Sequence, residues 1–203
     1  MRATTALALV LASCAPRGVT PAIDPRLAAQ VPQDASAIVG FRPAALGSVA
    51  RSFGDARYVL AWVRGTEVST AVLAADGSVA GATHTLESAS PLMPDSQALA
   101  ARYPAWAVIR GGTRLPLHGN LANLNNLIAD AETLTAGVQT ADDYAVELTA
   151  QCPSDERAQH FEGSLRAVLL LIKAGPAAQV QRDGRKVQAS MKVPAEAIGK
   201  LMK

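Results

Sequence analysis

Apolar positions recur along this chain in two rhythms. From Tyr144 to Cys152 they alternate. Tyr144, Val146, Leu148, Ala150 and Cys152 share one side of an extended chain, while Asp143, Glu147, Thr149 and Gln151 point the other way. The same rhythm predicts Val187, Ala189, Met191 and Val193 facing inward on a strand of a hairpin that turns at Asp183-Gly184. Tyr58-Val59-Leu60-Ala61-Trp62-Val63 is apolar without a break, the signature of a central strand buried on both faces. Arg64-Gly65-Thr66 turns it into Val68 to Ala74, and Asp76-Gly77, where glycine tolerates a positive φ, turns that into Ser78 to Thr83. Ala35 to Arg42 (stopped by Pro43), Ala105 to Arg110 (closed by Gly111-Gly112) and Thr133 to Gln139 are the remaining predicted strands.

The second rhythm is helical. Ala158, Phe161, Leu165, Val168, Leu169 and Ile172 form a stripe at helical spacing. Ser154 caps that helix, Asp155 and Glu156 suit its positive end, and Gly175-Pro176 stops it. Asn120 is placed to cap a helix carrying Leu121, Leu124, Leu127 and Ile128 on one face. Shorter helices are predicted over 43–51, from Asp95 or Ser96 to Tyr103, and after Pro194 with Ile198 and Leu201. The fold class is therefore α+β. Each half runs strand, helix, hairpin, then more helix and strand, which predicts two units, 34–103 and 104–203, each a small antiparallel sheet with helices on one face. One larger mixed sheet is the alternative. The order βαββαβ from Ala105 to Asp183 resembles ferredoxin-like topology, which hosts too many functions to imply one.

The N terminus follows neither rhythm. Arg2 precedes a short apolar run, Ala3 to Ala12, broken only by Thr4 and Thr5, and then comes Leu11-Ala12-Ser13-Cys14. The run is far below the roughly 20 residues of a membrane-spanning helix, so it reads as a signal peptide over 1–13. Leu11-Ala12-Ser13-Cys14 resembles the lipobox of bacterial lipoproteins. That resemblance implies that the Cys14 thiol receives a diacylglycerol, that the signal is cut before it, and that the new amino terminus is acylated with fatty acids such as palmitate. A thiolate suits attack on an activated lipid, and several acyl chains give durable anchoring. Ala15 stands where an aspartate tends to hold such proteins at the inner membrane, so the resemblance implies an outer-membrane lipoprotein facing the periplasm in a Gram-negative host. Residues 14–33, with Pro16, Pro21, Pro25 and Pro32, read as an extended tether off the membrane.

Composition narrows the function. Of 203 residues, 49% are hydrophobic and 18% charged, enough for a packed core, yet only 4% are aromatic, so Ala, Val and Leu must fill it. Without residues 1–13 the chain carries a net charge of about +1, no footprint for nucleic acid. Cys152 is the lone cysteine after Cys14, and its phase points it inward as a buried, structural thiol. His84, His118 and His160 share no metal-ligand spacing. Asp142 and Asp143 sit at a turn, where adjacent side chains point apart. No metal or cofactor pattern is present.

The most unusual loop is Arg110-Gly111-Gly112-Thr113-Arg114, with His118 shortly after it. Glycines flanked by arginines can cradle an anion or an acidic partner, although the P-loop and dinucleotide patterns are incomplete. The sequence thus points to a lipid-anchored cell-envelope binding or scaffolding protein with no evident catalytic activity, attached to the membrane through its N-terminal lipid and holding an envelope protein partner. The alternative is an envelope hydrolase or transferase with a site over 110–126, in which His118, Arg114 and an acid converge.

Overall fold

The computed structural model describes residues 22–81, 89–117, 122, 124–140, 143–171 and 178–193. In chain order the elements are α1 (Pro25–Ala28), β1 (Ala37–Phe41), α2 (Pro43–Leu46) running into 3-10 turns over Gly47–Phe53, β2 (Tyr58–Arg64), β3 (Glu67–Leu73), β4 (Val79–Gly81), α3 (Met93–Arg102), β5 (Ala105–Arg110), α4 (Leu124–Asp130), β6 (Thr133–Thr140), β7 (Tyr144–Gln151), α5 (Asp155–Leu171), β8 (Gln179–Asp183) and β9 (Lys186–Val193). The predicted helix after Pro194, and Gly175-Pro176, lie outside the described residues.

The α+β class holds, but two small sheets and a mixed sheet do not. The described strands form one nine-stranded sheet in the order β4-β3-β2-β1-β5-β6-β7-β9-β8, and all its pairs are antiparallel. The join is β1 against β5, with Ala37 opposite Ile109 and Phe41 opposite Ala105. Both strands are apolar and buried, so separate sheets would have left two rows of backbone N–H and C=O groups unsatisfied in the core. Each predicted half begins at this central pair; the first meanders outward to β4, and the second meanders to β7, then crosses to the edge strand β8 and returns as β9 between them.

The ferredoxin-like expectation also fails, although the elements come in the predicted order. That topology needs β5 and β6 parallel, separated by a helical crossover. Here they are antiparallel neighbours from Ala105–Val138 to Arg110–Thr133, and the Gly111 N–H donates to the Glu132 carbonyl at 2.8 Å. The ladder closes to the mouth of the connection, so α4 is an excursion from a hairpin.

Helices cover both faces, where one was expected. Leu60, Trp62, Ile38, Trp106 and Val108 pack on one face beneath Ile23, Leu27, Met93 and Ala100. Leu134, Ala150, Val187 and Ala189 pack on the other beneath Leu127 and Ile128 of α4 and Ala158, Phe161, Leu165 and Leu169 of α5. The cause is the sequence pattern itself. The central strands are apolar on both sides and need two covers, whereas β9 alternates buried and exposed residues along its whole length and needs one. Ser154 caps α5 as expected, its Oγ accepting the Arg157 N–H at 3.2 Å.

The chain joins the fold before Asp34. Ile23, Leu27 and Val31 are fully buried, so the span 22–33 of the expected tether is part of the core. Its prolines do not prevent this. Pro25 occupies the first turn of α1, where its missing N–H costs nothing, and the Asp24 side chain accepts the Arg26 N–H at 2.8 Å. Among the described residues no helix is long and apolar enough to cross a membrane.

Aromatic side chains lie over glycines on the first face. A Cβ on Gly40 would collide with the Trp106 ring, and one on Gly137 with the Tyr103 ring. The Trp106 indole N–H donates to the Tyr58 hydroxyl at 2.7 Å, and burial pushes the Tyr58 phenol up to about 12. Two outcomes are expected. Gly40→Ala should lower the urea midpoint, at a cost of about 1–3 kcal/mol in displaced rings, whereas Gly163→Ala in α5, with open space around it, should raise it by about 0.5–1 kcal/mol. The unfolded phenol ionises from its ordinary 10 while the folded one stays neutral to about 12. Stability is therefore complete below pH 10 and falls as pH rises from 10 to 12, by on the order of 2 kcal/mol, checked by denaturation across that window.

Candidate functional site

The end of the sheet where β1 begins, β2 turns into β3 and β5 finishes holds a shallow groove of about 360 Å³, lined by Ser36, Gly65, Thr66 and Arg110 to Arg114. The expected anion loop is therefore at a concave surface. The N–H groups of its glycines and of Thr113, however, are already engaged. Besides the Gly111 bond to Glu132, the Gly112 N–H donates to Ile128 O and the Thr113 N–H to Arg110 O. The Thr113 hydroxyl lies within bonding reach of Ser36 O and Arg110 O, at 3.0 and 2.6 Å. With these three N–H groups paired, an anion at this loop would be held by its side chains.

The glycines have structural reasons instead. A Cβ on Gly111 would run into the Ala131 carbonyl, and Gly112 holds a φ of +75° that favours glycine. Asn125 locks the continuation of the loop, its side-chain amide accepting from Leu115 N at 2.8 Å and donating to Leu115 O at 3.0 Å.

What remains for chemistry is the pair of side chains. Arg110 and Arg114 are exposed and have no hydrogen-bond or ion-pair partner among the described residues. The neighbouring Arg64 is occupied by Asp34 at 2.8 Å, in an adjoining hollow of about 310 Å³ formed with Pro32 and Gln33. Among the described residues the groove lining contains guanidinium and hydroxyl groups, and no carboxylate, imidazole or thiol. This set can grip an acidic group by forked hydrogen bonds, and no described residue of the lining stands as a base beside its hydroxyls. His118 lies outside the described residues, as do His84, Asp142 and Cys14.

A second polar cluster went unseen in the sequence. Asp130, at the end of α4, is 3% exposed, and its carboxylate meets the Arg157 guanidinium at 2.7 Å and His160 Nδ1 at 2.5 Å. Arg157 and His160 stand one turn apart on α5 and are themselves largely exposed. The only signal was an acid in helical phase with Leu127 on a buried stripe. Cys152 lies beneath this cluster, fully buried, and burial together with the Asp130 and Glu132 carboxylates pushes its thiol up, the reverse of what a nucleophile needs. Among the described residues no three His, Cys, Asp or Glu side chains group as metal ligands.

Comparison with protein-family models, with curated proteins and with solved structures finds no match for this chain. The site therefore has to be judged on its own geometry.

Asp130→Ala should separate α4 from α5 and cost about 1–3 kcal/mol, read as a lowered urea midpoint. His160→Ala, which leaves the carboxylate its Arg157 partner, should cost less. Equal effects would mean that His160 alone carries the link and that Arg157 adds nothing to it.

Proposed function

We propose that this chain is a lipid-anchored cell-envelope protein that binds or scaffolds a partner, with the groove between the β2–β3 turn and Arg110–Arg114 as its holding surface. The observation that carries the reading is the pair of exposed arginines flanking a concave surface in which no described residue of the lining is a base. Guanidinium groups pair by forked hydrogen bonds with two oxygens of an oxyanion, so the partner presents a carboxylate or phosphate to the groove. The lipobox at Leu11–Cys14 supplies the anchor, and the durable attachment of several acyl chains suits a protein that stays in place and holds something.

Wild type expressed from its own start should gain acyl mass and partition with membranes, and Cys14→Ser should do neither. In the same membranes, replacing Arg110 and Arg114 together by alanine should leave acyl mass, partitioning and urea midpoint unchanged. It should weaken capture of a crosslinked envelope partner about tenfold or more, the equivalent of losing one charged hydrogen bond. Turnover that depends on a residue of the 110–126 segment would replace this reading with an enzymatic one.

A further inference from the structure

We infer that the β3–β4 turn marks the membrane-proximal end of the fold, and that the Arg110–Arg114 groove is carried at the opposite end, facing away from the lipid. The inference rests on attachment at Cys14, as proposed above.

The argument begins where the chain becomes fixed. Ile23 is fully buried, and its N–H donates to the Gln97 side chain at 3.0 Å. Three residues on, the Arg26 guanidinium donates to the Gly77 carbonyl at 2.9 Å, in the turn that follows β3. The chain thus enters the fold beside the β3–β4 turn, and then runs along the first face to Asp34, which pairs with Arg64 at the other end of β2. Eight residue steps separate Cys14 from Ala22. They reach at most about 28 Å. A tether continuing to Asp34 would have reached about 65 Å and left the fold free to tumble.

The strand supplies the comparison length. β3 runs from Glu67, next to the groove residues Gly65 and Thr66, to Leu73, next to the β3–β4 turn. Its seven residues span about 23 Å. To press the groove against lipid, the body of the fold would have to lie between the entry point and the membrane. The entry point would then stand at least a strand's length above the surface. That consumes nearly the whole extended tether and most of its freedom. With the turn end down, the same tether is slack.

A second observation points the same way. The turn end carries a hollow of about 390 Å³ whose apolar floor is Phe53, Ala56, Val72, Ala74 and Ala75, with Asp55 and Asp76 also in its lining and Phe53 38% exposed. An exposed phenyl ring at the anchored end suits the boundary between headgroups and acyl chains.

The test uses the full acylated chain in phosphatidylcholine vesicles with an energy acceptor on the headgroups. A donor is placed at Asp76→Cys in one preparation and Thr66→Cys in another. Cys14 is consumed by the lipid and Cys152 is buried, so neither takes the label. Transfer from position 76 should be several-fold higher than from position 66. Inserting about twenty Gly/Ser residues after Ala15 should abolish the difference without releasing the protein. Equal transfer with the native tether, or stronger transfer from position 66, would overturn the orientation while the anchor stands, and a difference that survives the insertion would overturn the short tether as its cause. A chain that gains no acyl mass would overturn the anchor itself.

Discussion

The ladder between β1 and β5 joins two meanders that have no other way to satisfy their inner edges. Five residue pairs, from Ala37–Ile109 to Phe41–Ala105, turn two short apolar strands into the centre of a sheet. The groove depends on the same ladder, because it continues past the last paired residues. The Arg110 N–H donates to Ser36 O at 2.8 Å, and the Thr113 hydroxyl reaches that same carbonyl. Ser36 is in turn tied to Val63, so the start of β1, the end of β2 and the end of β5 are held in one frame. The arginines that flank the groove project from this frame and not from a free loop, which reduces the ordering they must undergo to bind.

Burial on two faces follows from how the strands differ. The strands flanking the join are apolar on both sides and lie between layers. Farther out, β7 and β9 turn Glu147, Ser190, Thr149 and Gln188 outward, in register with one another. The outermost strand is guarded. Arg166 of α5 donates to the Val180 carbonyl at 2.8 Å, and Glu162 holds both Arg166 and Arg182. Charged side chains from a covering helix thus occupy the rim of β8, which discourages a further strand from adding there.

Local patterns were legible in the sequence; non-local ones were not. The alternation of Tyr144 to Cys152, the buried phase of Val187 to Val193, the Ser154 cap and the inward cysteine all involve neighbours within a few residues, where period and capping chemistry act directly. Which strand would pair with β1 depends on a contact across nearly seventy residues, and no local rhythm encodes it. Ile23, Leu27 and Val31 recur at helical spacing, but the prolines around them carried more weight than they should have. Pro25 starts a helical turn as readily as it ends one. At 110–114 the glycines are explained by the backbone, a close carbonyl at Gly111 and a positive φ at Gly112, which composition alone does not separate from a ligand-binding role.

Strand direction links these points to function. Because β1 and β5 are antiparallel, the start of one and the end of the other meet at the same edge of the fold, and the β2–β3 turn joins them there. The following strand carries the chain to the opposite edge, where Gly77 receives Arg26 and the N-terminal segment enters. The entry of the N-terminal segment and the arginine-flanked groove are thus set at opposite ends by topology before any side chain is chosen. On the attachment at Cys14 proposed above, a short lead then has a consequence that a long one lacks. It would make the fold a spacer of about one strand's length between lipid and arginines, so that an acidic group could be met clear of the headgroups, whose own phosphates would otherwise compete for the same guanidinium groups.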